Sequence, residues 1–254
     1  MQCNRKAYWL PTRSMAKSQY GEVFRAELVV EVPTKEREQD GIKWKATGQK
    51  CVVKMSNLQQ MSNARSLEVG NGIVLPEDPL REAHAMQYMK DFHFYEEDSN
   101  GLKIHECLLE EDHVQEFLRI RGAIIESHVM LPYDIVQDNE NLFLVMPDVG
   151  GTQMFHWLQD KMPNRLDTDE AKGYFTQMLN CIELLQRAGV CHRDISFENL
   201  LRTPDGVIVL FDFGMCLKIP CLEGEGLDHR NWTRCLMTYQ RPSLKVRHEA
   251  SSCN

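Results

Sequence analysis

Two runs near the N-terminus, 20–30 (YGEVFRAELVV) and 49–55 (QKCVVKM), have the β-branched and aromatic density of strands. The charged, glycine-containing stretch 33–48 between them reads as a connecting loop. Across 79–92 the apolar positions Leu80, Ala83, Met86, Tyr88 and Met89 follow helical spacing, and Glu77-Asp78 before them suits the positive end of a helix dipole. The acidic segment 95–101 breaks that pattern, and a second helix is expected over 107–121. Strand-like runs return at 129–136 and 141–146, forming a hairpin about Asp138-Asn139-Glu140. After Gly150-Gly151 the chain turns helical, most clearly over 168–188, with Thr168 as the expected cap and Gly189 as the stop. Two short strands fill 199–213 about Pro204-Asp205-Gly206, whose proline and glycine suit a turn. From Lys218 the periodicity fades, and the polar, Arg-rich stretch 223–254 is expected to be divergent or disordered. No internal repeat interrupts this order, which is that of an α+β protein.

Composition narrows the picture. The 254 residues, 43% hydrophobic, suffice for one large domain or two modest lobes around a cleft. A net charge of −8 disfavours non-specific attraction to nucleic acid or anionic lipid, so a phosphate site has to be local. Nine cysteines, an odd number with no C-x-x-C pair, suggest neither a disulfide framework nor a zinc site. No apolar leader segment and no membrane-length apolar run is present, so the expected setting is soluble and cytoplasmic.

The most specific signal is His192-Arg193-Asp194-Ile195-Ser196-Phe197-Glu198-Asn199, followed thirteen residues after Asn199 by Asp212-Phe213-Gly214. Together these resemble the catalytic loop and the metal-binding motif of eukaryotic-type protein kinases, in that family's order. The chemistry agrees with the resemblance. Phosphoryl transfer needs a carboxylate to orient the attacking hydroxyl and take its proton, and oxygen ligands to hold magnesium against the phosphates. Asp194 would be the first; Asn199 and Asp212 would be the second, with manganese able to replace magnesium. A strand–turn–strand between the two motifs would fold them side by side.

The resemblance extends upstream. Cys51-Val52-Val53-Lys54 is similar to the strand whose lysine contacts the α and β phosphates and pairs with a helix glutamate; Glu82 is the chosen partner, with Glu77 competing if the helix register differs. The family's glycine-rich loop aligns to Ala16, Ser18, Gly21 and Val23, so only the last glycine and the valine remain. Leu144-Val145-Met146-Pro147-Asp148-Val149 resembles the hinge, placing Met146 at the back of the adenine pocket and the backbone of Pro147 and Val149 against the base. Val23, Val52 and Leu201 would sandwich the ring, although each reads equally well as ordinary core.

The implied fold is bilobal. Residues 1–146 would be an N-lobe of five antiparallel strands plus a helix, with insertions at 31–48, 56–76 and 93–128. Residues 147–149 would be the hinge and 150–222 a partial, mainly helical C-lobe. ATP and a protein substrate are the implied partners.

Two departures bear on activity. Ser196 stands where serine/threonine kinases carry a lysine that neutralises the transferring phosphoryl group, and no Ala-Pro-Glu occurs among the 40 residues after Gly214. An incomplete C-lobe would expose apolar surface on the 168–188 helix and invite a covering protein partner. The expected activity is therefore phosphorylation of a protein hydroxyl, Ser or Thr by the Ser196–Asn199 sequence. Alternatives are a nucleotide-binding pseudokinase or scaffold, an inactive truncated remnant, and a small-molecule kinase, against which Asp212-Phe213-Gly214 argues. Thr233 and Thr238 are candidate regulatory sites. Cys216 reads either as a redox-sensitive thiol or as a buried small apolar residue.

Overall fold

The computed structural model describes residues 7–32, 43–63, 78–99, 110–161 and 166–219. Strands β1 (Ala7–Ser18), β2 (Gly21–Val32), β3 (Lys43–Asn57), β4 (Asp134–Gln137) and β5 (Asn141–Pro147) form one antiparallel sheet in the order β1-β2-β3-β5-β4. The five-stranded N-terminal sheet is thus present, with more strand than the hydrophobic pattern indicated: β1 lies ahead of the first expected run, and β3 begins inside the expected loop. Lys43, Lys45 and Ala46 pair across β2, so strand pairing overrides a locally polar sequence there.

Alternation along β3 sets the architecture, because successive side chains point to opposite faces. Cys51 and Val53 are buried on one face, where Ala26, Val145 and Phe117 join them. Val52 and Lys54 therefore project to the other.

Helix α1 (Pro79–Ser99) starts where Asp78 caps it: its Oδ1 accepts from Leu80 N at 3.0 Å, and Pro79 fills the first helical position, where no donor is needed. It runs through the segment 95–99 that was expected to break the pattern. The second helix, α2 (Glu110–Ser127), lies later than the expected 107–121. Although 93–128 was expected as an insertion, Phe117, Ile120 and Ile124 are fully buried, with Phe117 against the sheet and the two isoleucines in the main core.

Of the expected strand 129–136 only Asp134–Gln137 belongs to the sheet; Val129 instead makes a parallel bridge to Leu210. A helical turn at 58–63 precedes α1. The candidate Glu77, the tail 223–254, Thr233 and Thr238 lie outside the described residues.

Past the expected hinge come α3 (Met154–Asp160) and α4 (Thr168–Arg187). The cap of α4 is Asp167 rather than Thr168. Its carboxylate accepts from Asp169 N and Glu170 N while Glu170 reaches back, and a carboxylate at that end also suits the helix dipole. Gly189 follows the helix at φ +64°, the expected stop. Short strands β6 (Thr152–Gln153), β8 (Leu200–Arg202) and β9 (Ile208–Leu210) form a second sheet, and β7 (Val190–Cys191) pairs with β10 (Leu217–Lys218). The expected turn at Pro204-Asp205-Gly206 joins β8 to β9, with Gly206 at φ +83°. Phe175, Leu179 and Ile182, at helical spacing on α4, are exposed as expected. No helix among the described residues is long and apolar enough to cross a membrane.

Because Phe117 is 1% exposed, Phe117→Ala is expected to lower the unfolding free energy by about 3–5 kcal/mol. Leu118→Ala, at an exposed neighbour, should stay within about 0.5 kcal/mol of wild type. Urea denaturation of both variants measures this; equal losses would show that α2 does not pack as described.

Candidate active site

Lys54, Glu82 and Asp212 meet although no two share an element. Lys54 Nζ lies 2.7 Å from Glu82 Oε2 and 3.9 Å from Asp212 Oδ1. The glutamate side chain is only 5% exposed and the lysine 17%, so neither charge is well solvated by water, and each depends on the other. Asp212 holds φ at +65°, a strained conformation for a non-glycine residue, and its Oδ1 also accepts from Gly214 N at 3.3 Å. Gly214 in turn accepts through its carbonyl from Asp78 N at 3.2 Å and from Arg81 Nη1 at 3.5 Å, which ties the start of α1 to the Asp-Phe-Gly segment.

The catalytic-loop residues are held from beneath. Asn199 Nδ2 donates to the Asp194 carbonyl at 2.9 Å and to its Oδ2 at 2.7 Å. Asn199 is buried, whereas Asp194 is exposed. The Asn199 carbonyl accepts from Phe211 N at 3.0 Å, which brings the end of the loop beside the residue preceding Asp212. The strand–turn–strand expected from the spacing thus does bring the two motifs together.

His192 organises this junction. Its Nε2 faces the Phe211 carbonyl at 3.2 Å and its Nδ1 faces Asp194 N at 3.3 Å. A carbonyl only accepts and an amide only donates, so the ring is the neutral tautomer protonated at Nε2. Burial lowers its pKa and favours that neutral form, against the opposing effects of the Phe211 contact and of Asp212 and Asp194. Phe213, completely buried, meets the ring edge-on with centroids 4.8 Å apart. Arg193, at φ +67°, is a strained residue within the loop itself.

Above the cleft, β1 and β2 close in a tight hairpin with Ser18 opposite Gly21 and Ala16 opposite Val23. A Cβ on Gly21 would lie 2.1 Å from the Met55 carbonyl oxygen, so sheet packing alone demands glycine there. Ser18 Oγ is buried without a hydrogen-bond partner. Val52 pairs with Met146, and Val23 with Lys54, so the proposed adenine-contacting side chains lie around the lysine. Pro147 is the last residue of β5 and, like Val149, is buried. Leu201 comes from β8, paired with Gln153.

Several contributors carried no sequence signal. Asp148 fixes the hinge: its amide donates to the Lys50 carbonyl at 3.0 Å, its Oδ1 accepts from Gly150 N at 2.8 Å, and its Oδ2 lies 3.0 Å from Arg25 Nε. Tyr88 OH donates to the Ala188 carbonyl at 2.9 Å. Of the two readings of Cys216, the buried small apolar residue holds: burial pushes its thiol up to about 12, so it holds little of the reactive thiolate.

No group of three or more His, Cys, Asp or Glu side chains that could hold a metal occurs among the described residues. Magnesium does not require one. It is commonly held by one or two carboxylates with waters and substrate phosphates, and the chemistry of the expected ligands, the Asp212 carboxylate and the Asn199 amide oxygen, fits that pattern.

A protein-family model described as protein kinase domain matches residues 95–235, more than half of the chain; Lys54 and Glu82 lie before the matched span. Mouse hormonally up-regulated neu tumor-associated kinase is 37% identical over 97 residues, 38% of this chain and 13% of that protein. Maternal embryonic leucine zipper kinase of Xenopus tropicalis is 32% identical over 119 residues, 46% of this chain and 17% of that protein. The aligned part is thus less than a fifth of either relative. Family match, motif order and the meeting of both motifs in one cleft agree: this chain belongs to the protein kinase domain family.

Proposed function

We propose that the protein transfers the γ-phosphoryl group of ATP to a protein hydroxyl, serine or threonine by the sequence of its catalytic loop. The observation that carries this reading is the meeting of Lys54, Glu82 and Asp212, with the Asp194–Asn199 loop bonded to Phe211, the residue before Asp212. In this scheme Lys54, aligned by Glu82, binds the α and β phosphates. Asp212 and Asn199 would hold magnesium, which when bound offsets the charge of the phosphates. Asp194 orients the attacking hydroxyl and takes its proton; Asn199, bonded to the same carboxylate, keeps that group aimed. Val23, Val52, Met146 and Leu201 receive the adenine ring, and the Pro147 carbonyl and Val149 backbone contact its edge. Ala16 and Ser18 replace two loop glycines, leaving the phosphate grip to Lys54 and the metal. A protein substrate, a covering partner for the exposed face of α4 and a cytoplasmic setting complete the reading.

A second reading, nucleotide binding without transfer, is favoured by Ser196, which puts no charge where the family's lysine would meet the transferring group.

Intact-mass analysis after incubation with magnesium, ATP and a general protein substrate decides between them. Stepwise gain of one phosphoryl mass, reduced by about 10²–10⁴-fold in Asp194→Asn with ATP affinity kept, is the expected outcome. ATP binding with no transfer by a folded wild-type chain would establish the second reading. Asp212→Asn should abolish the magnesium dependence of ATP affinity in a calorimetric titration; unchanged dependence would remove Asp212 from the metal site. Restoring the missing charge with Ser196→Lys should raise the transfer rate by about tenfold or more, measured as initial velocity at saturating ATP. An unchanged rate would show that the absent lysine is not what limits turnover.

A further inference from the structure

Helix α1 carries Glu82, so whatever fixes its position also sets the Lys54–Glu82 pair. Its buried face includes Met86 and Met89 beside Ala83 and Phe94, and methionine adapts to several arrangements, so packing leaves room for polar contacts to set its position. Its first turn is tied to Gly214, within the Asp-Phe-Gly motif itself. Its far half is held by a different device.

Lys90 lies two turns beyond Glu82, about 12 Å along the axis. Its side chain is 15% exposed, and its ammonium donates to the Tyr133 carbonyl at 3.1 Å and lies 3.8 Å from Glu116 Oε1 on α2. Glu116 is itself oriented by Arg119, 3.0 Å away, whose guanidinium lies over the Phe94 ring of α1 at 3.7 Å. Tyr133 is immobilised in turn: its hydroxyl is 3.0 Å from His113 Nδ1 on α2, and its ring packs edge-on against Trp9 of β1. Burial lowers the lysine's pKa, opposed by Glu116, as expected for a cation drawn out of water by these contacts.

We propose that Lys90 is a positioning residue: by clamping the far half of α1 to α2 and Tyr133, it keeps Glu82 turned toward Lys54 and so sets the grip on ATP phosphates. The inference rests on the proposed role of Lys54. In this view α2 is a built-in strut that holds the paired state without an outside partner.

Calorimetric titrations with magnesium–ATP and with adenosine test it, because adenosine uses the same ring pocket but has no phosphates. Lys90→Met should weaken magnesium–ATP binding about tenfold while leaving adenosine affinity unchanged. Lys90→Arg should recover most of the loss, and Glu116→Gln should give a smaller loss in the same direction. Lys54→Met/Lys90→Met should bind ATP no more weakly than Lys54→Met alone, since both changes act through one lysine. If Lys90→Met fails to fold, Glu116→Gln carries the comparison. An unchanged ATP-to-adenosine ratio in these variants, or full additivity with Lys54→Met, overturns the proposal while the ATP reading survives. A wild-type chain with no preference for ATP over adenosine removes the proposed role of Lys54, and this inference with it.

Discussion

A buried ion pair between Lys54 on β3 and Glu82 on α1 is the constraint around which the cleft is built. Burying either charge alone would cost several kcal/mol, so sheet and helix are held at the separation that lets the two meet. Asp212 approaches the same lysine, 3.9 Å from its ammonium. The pair thus connects three segments that are otherwise distant in the chain, and each has a second attachment. β3 is locked between β2 and β5, α1 is tied to Gly214 and to α2, and Asp212 is held by its own turn and by the buried Phe213 behind it.

Beneath that pair, the junction of the two motifs is apolar and neutral. Phe213 packs against a histidine kept uncharged by burial, and both histidine nitrogens are used by backbone groups. A protonated ring would set a second donor against the Asp194 amide and bury a positive charge. The loop bearing Asp194 is therefore oriented by hydrogen bonds whose directions are fixed. Two residues at positive φ, Arg193 and Asp212, mark where the chain accepts local strain to present these groups.

The upper wall of the cleft is less specialised. Gly21 remains because β3 passes too close for any side chain, whereas Ala16 and Ser18 occupy the hairpin's other small-residue positions. Backbone packing thus accounts for the one glycine kept in this hairpin. Asp148 illustrates the same economy at the hinge, where one side chain and its amide tie together β2, β3 and the turn that follows.

What the sequence determined by itself was local or motif-bound. The meeting of the two motifs that carry Asp194, Asn199 and Asp212 was legible because a short strand–turn–strand, set by Pro204 and Gly206, folds one motif back on the other. The α+β order, the start of α1 at Asp78-Pro79 and the stop at Gly189 were legible for the same reason: caps and turns act over a few residues. Only the tertiary structure decided the rest. It brought Glu82, the partner chosen from the sequence, to Lys54 across 28 residues, gave Lys43–Ala46 to a strand through pairing with β2, carried α1 past its expected end, and buried the polar-looking α2 through Phe117 against the sheet and Ile120 and Ile124 in the main core. Arg25–Asp148, Lys90 and the neutral His192 left no sequence signal, because each depends on long-range burial and pairing that local periodicity does not encode.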